Sequence, residues 1–202
     1  MESNAVLSKV MVEPQHLTKW LKESGALREG HFLLSSGRHS SAYVQCALLL
    51  EDPDRAQRLG ALLAESLQMY HPQAIVSPAL GGLIIGHEVA RSLQIPFRFS
   101  ERHDGEMTLR RGFSMVPGER IVIVEDVVTT GKSAKEVEAL LISLGVKIAA
   151  VGSILDRTGG DNPFQGPFVS LMTLTLPNYS SSECPACNSG LPIDQPGSRG
   201  AS

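Results

Sequence analysis

Glu125 and Asp126 stand side by side at the end of the apolar run Arg120–Val124, and the stretch EDVVTTGKSA carries them into Gly131-Lys132-Ser133. Gly-Lys-Ser closes a Walker A loop, but that loop also needs a glycine five positions earlier. Asp126 occupies that position. A carboxylate there would face the triphosphate the loop must wrap, so the spacing excludes a P-loop nucleotidase. The segment offers different chemistry. Backbone N–H groups at 130–134, with the hydroxyls of Thr129, Thr130 and Ser133, suit one phosphate at a helix N-terminus. Two adjacent carboxylates suit the hydrogen-bond donors of a vicinal diol. Together they describe a ribose 5-phosphate group. A plainer reading stays open, with Ser133 a simple helix cap and the two acids solvated. The ligand reading gains because carboxylates delivered by a buried strand are costly unless something binds them.

The elements that must position these residues follow from periodicity. His16–Ser24 reads as a short amphipathic helix. Apolar runs at Phe32–Leu34 and Ala42–Gln45 flank a polar turn at Gly37, a hairpin signal. Asp52-Pro53 opens a helix with Leu59, Leu62, Leu63 and Leu67 on one face. Ala74–Val76 is a strand, Ser77–Gly82 a tight loop and Leu83–Leu93 a helix. IPFRFS is a further strand, and the charged stretch Glu101–Gly112 a mobile loop or hairpin. Arg120–Val124 has the continuous β-branched pattern of a strand buried on both faces. Lys135–Leu144 is a helix, and Lys147–Leu155 a strand closed by Asp156-Arg157. This alternation predicts an α/β fold with a central, mainly parallel sheet flanked by helices. Ligands in such sheets bind at the carboxyl ends of the strands. The loops Ser77–Gly82, Glu125–Ser133 and Asp156-Arg157 lie there.

The chain has 202 residues, 42% hydrophobic and 19% charged, with net charge −3. That suits one compact domain and argues against nucleic-acid binding, which would favour a basic chain. No run approaches the ~18 apolar residues of a membrane span, and no secretory leader pattern is visible. The three cysteines then favour a reducing cytoplasm. Cys184 and Cys187 have the spacing of half a zinc site, but no second cysteine pair exists to complete it. An ordinary tail is expected, with a site shared between two subunits the less favoured reading. Cys46 and His87 are expected to pack, Trp20 to anchor the core, and Glu136 and Glu138 to be solvated.

VIVEDVVTTGKS resembles the phosphoribosyl-diphosphate signature of the type I phosphoribosyltransferases, and HFLLSSGRHSSAY, TLRRGF and Leu155-Asp156-Arg157 are similar to the orotate branch of that family. The resemblance spans roughly residues 15–175. It implies a type I phosphoribosyltransferase fold with a small N-terminal hood. The expected divisions are an N-terminal helix and hood at 1–50, a core at 51–176 and an irregular tail at 177–202. It implies Mg2+, the substrates orotate and phosphoribosyl diphosphate, and a homodimer with shared sites. In that reading Glu125 and Asp126 hold the ribose hydroxyls, while Val127, Val128, Thr129, Thr130, Gly131, Lys132 and Ser133 wrap the 5-phosphate. Leu80 and Gly81 meet the pyrophosphate. Thr129, Arg157, Ser36, Gly37, Arg38 and Tyr43 serve the base. Residues 101–111 correspond to a mobile catalytic loop, with Arg102 and His103 as its catalytic candidates and Arg110 and Arg111 as further cations. The chain departs from many family members in three places. Ser35 stands where they carry lysine, Leu80-Gly81 where they carry Tyr-Lys, and no lysine occurs from Arg98 to Arg111. A purine phosphoribosyltransferase would place its hood late in the chain. A regulator would need an added DNA-binding unit, for which the ~30 residues before the hood are too few.

Overall fold

A computed structural model describes residues 14–34 and 36–196. Ser35, residues 1–13 of the expected hood and residues 197–202 of the expected tail lie outside the described residues. In chain order the elements are α1 (Pro14–Glu23), β1 (Leu27–Leu33), β2 (His39–Val44), α2 (Cys46–Leu50) and α3 (Pro53–Leu67). Then come β3 (Ala74–Pro78), α4 (Gly82–Leu93), β4 (Phe97–His103), β5 (Glu106–Leu109), β6 (Arg120–Val128), α5 (Lys132–Ser143) and β7 (Lys147–Asp156). β8 (Phe168–Thr173), β9 (Asn178–Tyr179) and α6 (Pro185–Asn188) complete it.

Six strands form the main sheet in the order β5-β4-β3-β6-β7-β8. All neighbours are parallel except β5, which pairs antiparallel with β4 at the edge. The alternation of side chains along each strand sends neighbouring residues to opposite faces. Val122 and Val124 enter one core with Leu59, Leu63 and Leu67 of α3 and Ile85 and Val89 of α4. Ile121 and Ile123 enter the other with Val137 and Leu141 of α5. All four β6 residues are fully buried, as a strand covered on both faces requires.

α3 begins as its sequence dictates. The Asp52 carboxylate accepts from the N–H groups of Asp54 and Arg55 at 2.9 and 3.3 Å, and Pro53 sits where no N–H is needed. The expected mobile stretch 101–112 is a hairpin: β4 runs on to His103 and turns at Asp104-Gly105 into β5. β8, missed in the sequence, extends the sheet beyond β7.

A second, three-stranded sheet in the order β1-β2-β9 forms the hood. Its third strand comes from the segment after Pro177, which looks irregular in sequence. Leu33 and Asp194 strengthen the join through a 2.9 Å hydrogen bond, and the Asp194 N–H donates to the His31 carbonyl at 2.7 Å. Among the side-chain expectations, Cys46 is buried and Trp20 packs against the core. His87 differs: its side chain is largely exposed, lying 3.7 Å from Glu88 and edge-on to Phe97, so it does not pack into the core. Glu136 differs too, because it pairs with Arg102.

α3 and α4 cross closely at Gly60. A Cβ there would lie 2.4 Å from Glu88 Cβ and 2.8 Å from its carbonyl carbon. Alanine would gain up to ~1 kcal/mol of helix propensity, but overpacking costs ~1–3 kcal/mol. Gly60→Ala should therefore lower the melting temperature by ~2–8 °C. An unchanged or higher melting temperature would contradict the crossing.

Candidate active site

The strand order reverses between β3 and β6. α4 carries the chain from β3 to β4 on one side, and α5 carries it from β6 to β7 on the other. Because α4 and α5 lie on opposite faces, their connecting loops separate at this point and leave a crevice. The loop after β3 (Ala79–Gly81) and the end of β6 form its walls. The Ala79–Leu80 peptide is cis, and Leu80 projects into solvent with 83% of its surface exposed.

β6 runs three residues past Glu125, so both carboxylates lie within the strand. Glu125 is 8% exposed. Burial pushes its carboxyl well above the usual range, and the neighbouring Asp126 charge adds to the rise. Asp126 is half-buried. Burial raises its carboxyl too, offset by backbone N–H groups of Val127 and of Asp126 itself. The Val127 N–H donates to Asp126 Oδ1 at 2.8 Å. Gly81 faces this carboxylate so closely that a Cβ would lie 2.8 Å from Oδ1. Only glycine lets the loop after β3 meet Asp126.

Thr129 and Thr130 are exposed, and Gly131 adopts φ +70° before α5 begins at Lys132. Backbone N–H groups of the first turn therefore face the crevice end of β6. Thr130 Oγ1 accepts from the Lys132 N–H at 3.4 Å. Pro163 and Phe164 close over Gly131, where a Cβ would meet Pro163 Cγ at 2.9 Å. Sequence reasoning missed these two residues, which lie thirty positions downstream with no motif of their own. The Lys132 ammonium lies 4.0 Å from Glu136, on the flank of α5, so Lys132 offers the loop its backbone rather than its charge.

Arg157 follows β7. Its N–H donates to the Val128 carbonyl at 2.8 Å, which seats it beside the loop after β6. Its Nε is buried with no hydrogen-bond partner, and burial pulls its pKa down. Tyr43 of β2 and Cys46 lie within electrostatic reach of Arg157. The Tyr43 hydroxyl is raised by burial, lowered by Arg157 and raised by Asp126. Tyr43 of the hood thus lies within electrostatic reach of both Arg157 and Asp126.

Other expected residues lie apart from it. Ser36, Gly37 and Arg38 form the exposed hairpin turn, and Arg38 binds Asn178 through its side-chain oxygen and, at 3.1 Å, its carbonyl. Arg102 pairs with Glu136 and with the carbonyl of Gly105. His103 Nδ1 lies 3.1 Å from Asp104. Arg110 and Arg111 turn back on Glu101 at 3.8 and 3.0 Å. Among the described residues, none of these side chains contacts Glu125 or Asp126.

The family model of the phosphoribosyl transferase domain matches residues 47–182. The chain is 52% identical over 180 residues to an orotate phosphoribosyltransferase of Thermotoga maritima, covering 89% of this chain and 96% of that one. It is 43% identical over 188 residues to one from Caldanaerobacter subterraneus subsp. tengcongensis, covering 93% and 99%. The crystal structure of orotate phosphoribosyltransferase from Aeropyrum pernix superposes with a TM-score of 0.64 at 29% identity, covering 78% of this chain and 93% of that one. The signature on β6, the crevice at the sheet's switch point and these matches converge: the chain belongs to the phosphoribosyl transferase family, among the orotate phosphoribosyltransferases.

Proposed function

We propose that this protein transfers the 5-phosphoribosyl group from phosphoribosyl diphosphate to orotate, giving orotidine 5′-monophosphate and pyrophosphate in pyrimidine synthesis. One observation carries the reading. A buried and a half-buried carboxylate, both pushed up by burial, sit at the switch point, near a helix N-terminus and a buried guanidinium nitrogen that has no hydrogen-bond partner among the described residues. An anionic, planar base suits the guanidinium. A phosphate suits the start of α5. A diol between them suits the acids.

The bond from the anomeric carbon to pyrophosphate breaks, and the leaving group takes the electron pair. A ring nitrogen of orotate forms the new bond, and its proton passes to the departing pyrophosphate. Glu125 and Asp126 orient the ribose through its hydroxyls and stabilise the positive charge developing on the sugar. The N–H groups and hydroxyls from Thr129 to Ser133 hold the 5-phosphate, and the backbone of Leu80-Gly81 approaches the pyrophosphate. Arg157 and Tyr43 orient orotate.

The donor set fits Mg2+, a hard cation that takes one or two carboxylates together with substrate phosphates. Asp126, with Glu125 behind it, would hold it on the bound phosphoribosyl diphosphate. When bound, it would neutralise charge on the departing pyrophosphate.

Arg102 and His103 are assigned to a hairpin that closes on a loaded site. The Arg102–Glu136 ion pair is partly exposed and worth ~0–1 kcal/mol, and His103 meets the exposed Asp104, so little opposes their exchange for a pyrophosphate. A homodimer in which each hairpin serves the neighbouring site accords with their lack of contact with Glu125 or Asp126 in the same chain. Net charge −3 supports small-molecule rather than nucleic-acid partners. No helix among the described residues is long and apolar enough to cross a membrane. The free cysteines suit the reducing cytoplasm, where we place the enzyme.

The protein, given phosphoribosyl diphosphate and Mg2+, should release pyrophosphate with orotate and not with uracil, adenine, hypoxanthine or guanine. Turnover of a purine, or of no base, would overturn the assignment. Asp126→Asn should fold normally yet lose ~100-fold or more in turnover; near-native turnover would remove the role of the carboxylate pair. Arg157→Ala should raise the KM for orotate at least ~10-fold while changing that for phosphoribosyl diphosphate little. Equal losses for both would contradict a contact with the base.

A further inference from the structure

The C-terminal segment delivers Cys184 and Cys187 to two histidines of the hood. Leu33 pairs with His39 across the β1–β2 ladder. His31 lies within the register shift between Glu29 and Phe32, and its ring centroid comes to 4.9 Å from that of His39. α6 supplies the cysteines: Cys184 caps it, Pro185 opens it, and Cys187 lies one turn on. One ring nitrogen of each histidine and both sulfurs lie within 4.8 Å of one another. This completes the half-site that the sequence left open, with histidines in place of a second cysteine pair.

The spacing is that of a tetrahedron. Cys184 Sγ and Cys187 Sγ each lie 3.5 Å from His31 Nε2, and Cys187 Sγ lies 3.2 Å from His39 Nδ1. Zinc bonds of about 2.3 Å to sulfur and 2.0–2.1 Å to nitrogen give a nitrogen–sulfur edge of ~3.5 Å and a nitrogen–nitrogen edge of ~3.3 Å. The two ring nitrogens are 2.8 Å apart, and an ion between them would open this edge by ~0.5 Å. A supporting contact is in place as well. His31 Nδ1 lies 2.8 Å from the Leu191 carbonyl. Donation there leaves the Nε2 lone pair facing the sulfurs, as metal-bound histidines require. His31, His39 and Cys184 are 4%, 6% and 1% exposed. Two thiolates would balance the charge of one divalent ion in this buried setting, and an S2N2 donor set selects zinc over the hard cations.

We propose that His31, His39, Cys184 and Cys187 form a closed, structural Zn2+ site that fastens the C-terminal segment to the hood. The site is separate from the crevice between β3 and β6, and the proposal does not depend on the reaction assigned there. It joins contacts that already tie these parts: β9 on β2, and Arg28 to Asp194 at 2.8 Å. Metal would lock the β1–β2 hairpin, and with it Tyr43, to a segment some 150 residues later in the chain.

The test is metal analysis of the full-length protein with its thiols reduced. About one zinc per chain should survive dialysis. Cobalt added to metal-free protein should give the visible bands of tetrahedral, thiolate-bound Co2+. Chelation should lower the melting temperature by ~5 °C or more. The paired change Cys184→Ser and Cys187→Ser, and separately His39→Asn, should abolish both the zinc and the cobalt bands. Wild-type protein that holds no zinc and gives no cobalt bands would overturn the proposal; the four groups would then be joined only by hydrogen bonds. So would zinc content that is unchanged in a folded variant. The wild-type cobalt spectrum decides the matter even if a variant fails to fold.

Discussion

Two adjacent carboxylates near the end of β6, Glu125 buried and Asp126 half-buried, are the constraint on which the rest of the structure turns. Burial opposes the charge of both and raises both carboxyls, and the Asp126 charge adds to the rise at Glu125. A fold spends stability on such an arrangement only where a ligand relieves it. The sheet makes the arrangement possible. Val122 and Val124 on one face and Ile121 and Ile123 on the other bury β6 from both sides, so Glu125 and Asp126 extend from a rigid base. The reversal of strand order then opens a crevice at that spot.

Around the pair, backbone counts for more than side-chain charge. Gly81 brings one loop against Asp126, and Gly131 turns the other into α5 beneath Pro163 and Phe164. No lysine occurs from Arg98 to Arg111; Arg102 is paired with Glu136, Arg110 and Arg111 with Glu101, and His103 lies against Asp104. Such pairs are weak. In the proposed reaction they would give way to a more highly charged pyrophosphate.

Much of this was legible in the sequence, for physical reasons. The strand RIVIV announced its double burial through an unbroken β-branched run, and Asp52-Pro53 announced α3 through cap chemistry. The carboxylate pair and the Thr-Gly loop were readable because their spacing is local. The features that escaped are non-local. β8 carries no strong alternation. The partner of Arg38 is Asn178, which is 140 residues away. The two histidines that meet Cys184 and Cys187 are eight residues apart on two different strands, a spacing that matches no metal-ligand motif. They converge because a hairpin folds one strand onto the other. The cysteine spacing pointed only to a second cysteine pair, which the chain lacks, whereas the folded hairpin brings two imidazoles to the same place.

In the proposed function Glu125 and Asp126 bind the vicinal hydroxyls of a ribose 5-phosphate. The most direct measurement is calorimetric binding of ribose 5-phosphate and of 2-deoxyribose 5-phosphate to the same protein. Both sugars keep the phosphate, and only one keeps the diol. A hydrogen bond to a charged group is worth about 1.5–3 kcal/mol, so the deoxy sugar should bind at least ~10-fold more weakly. Equal affinities would mean that the carboxylates do not hold the diol, and would contradict the account at its centre.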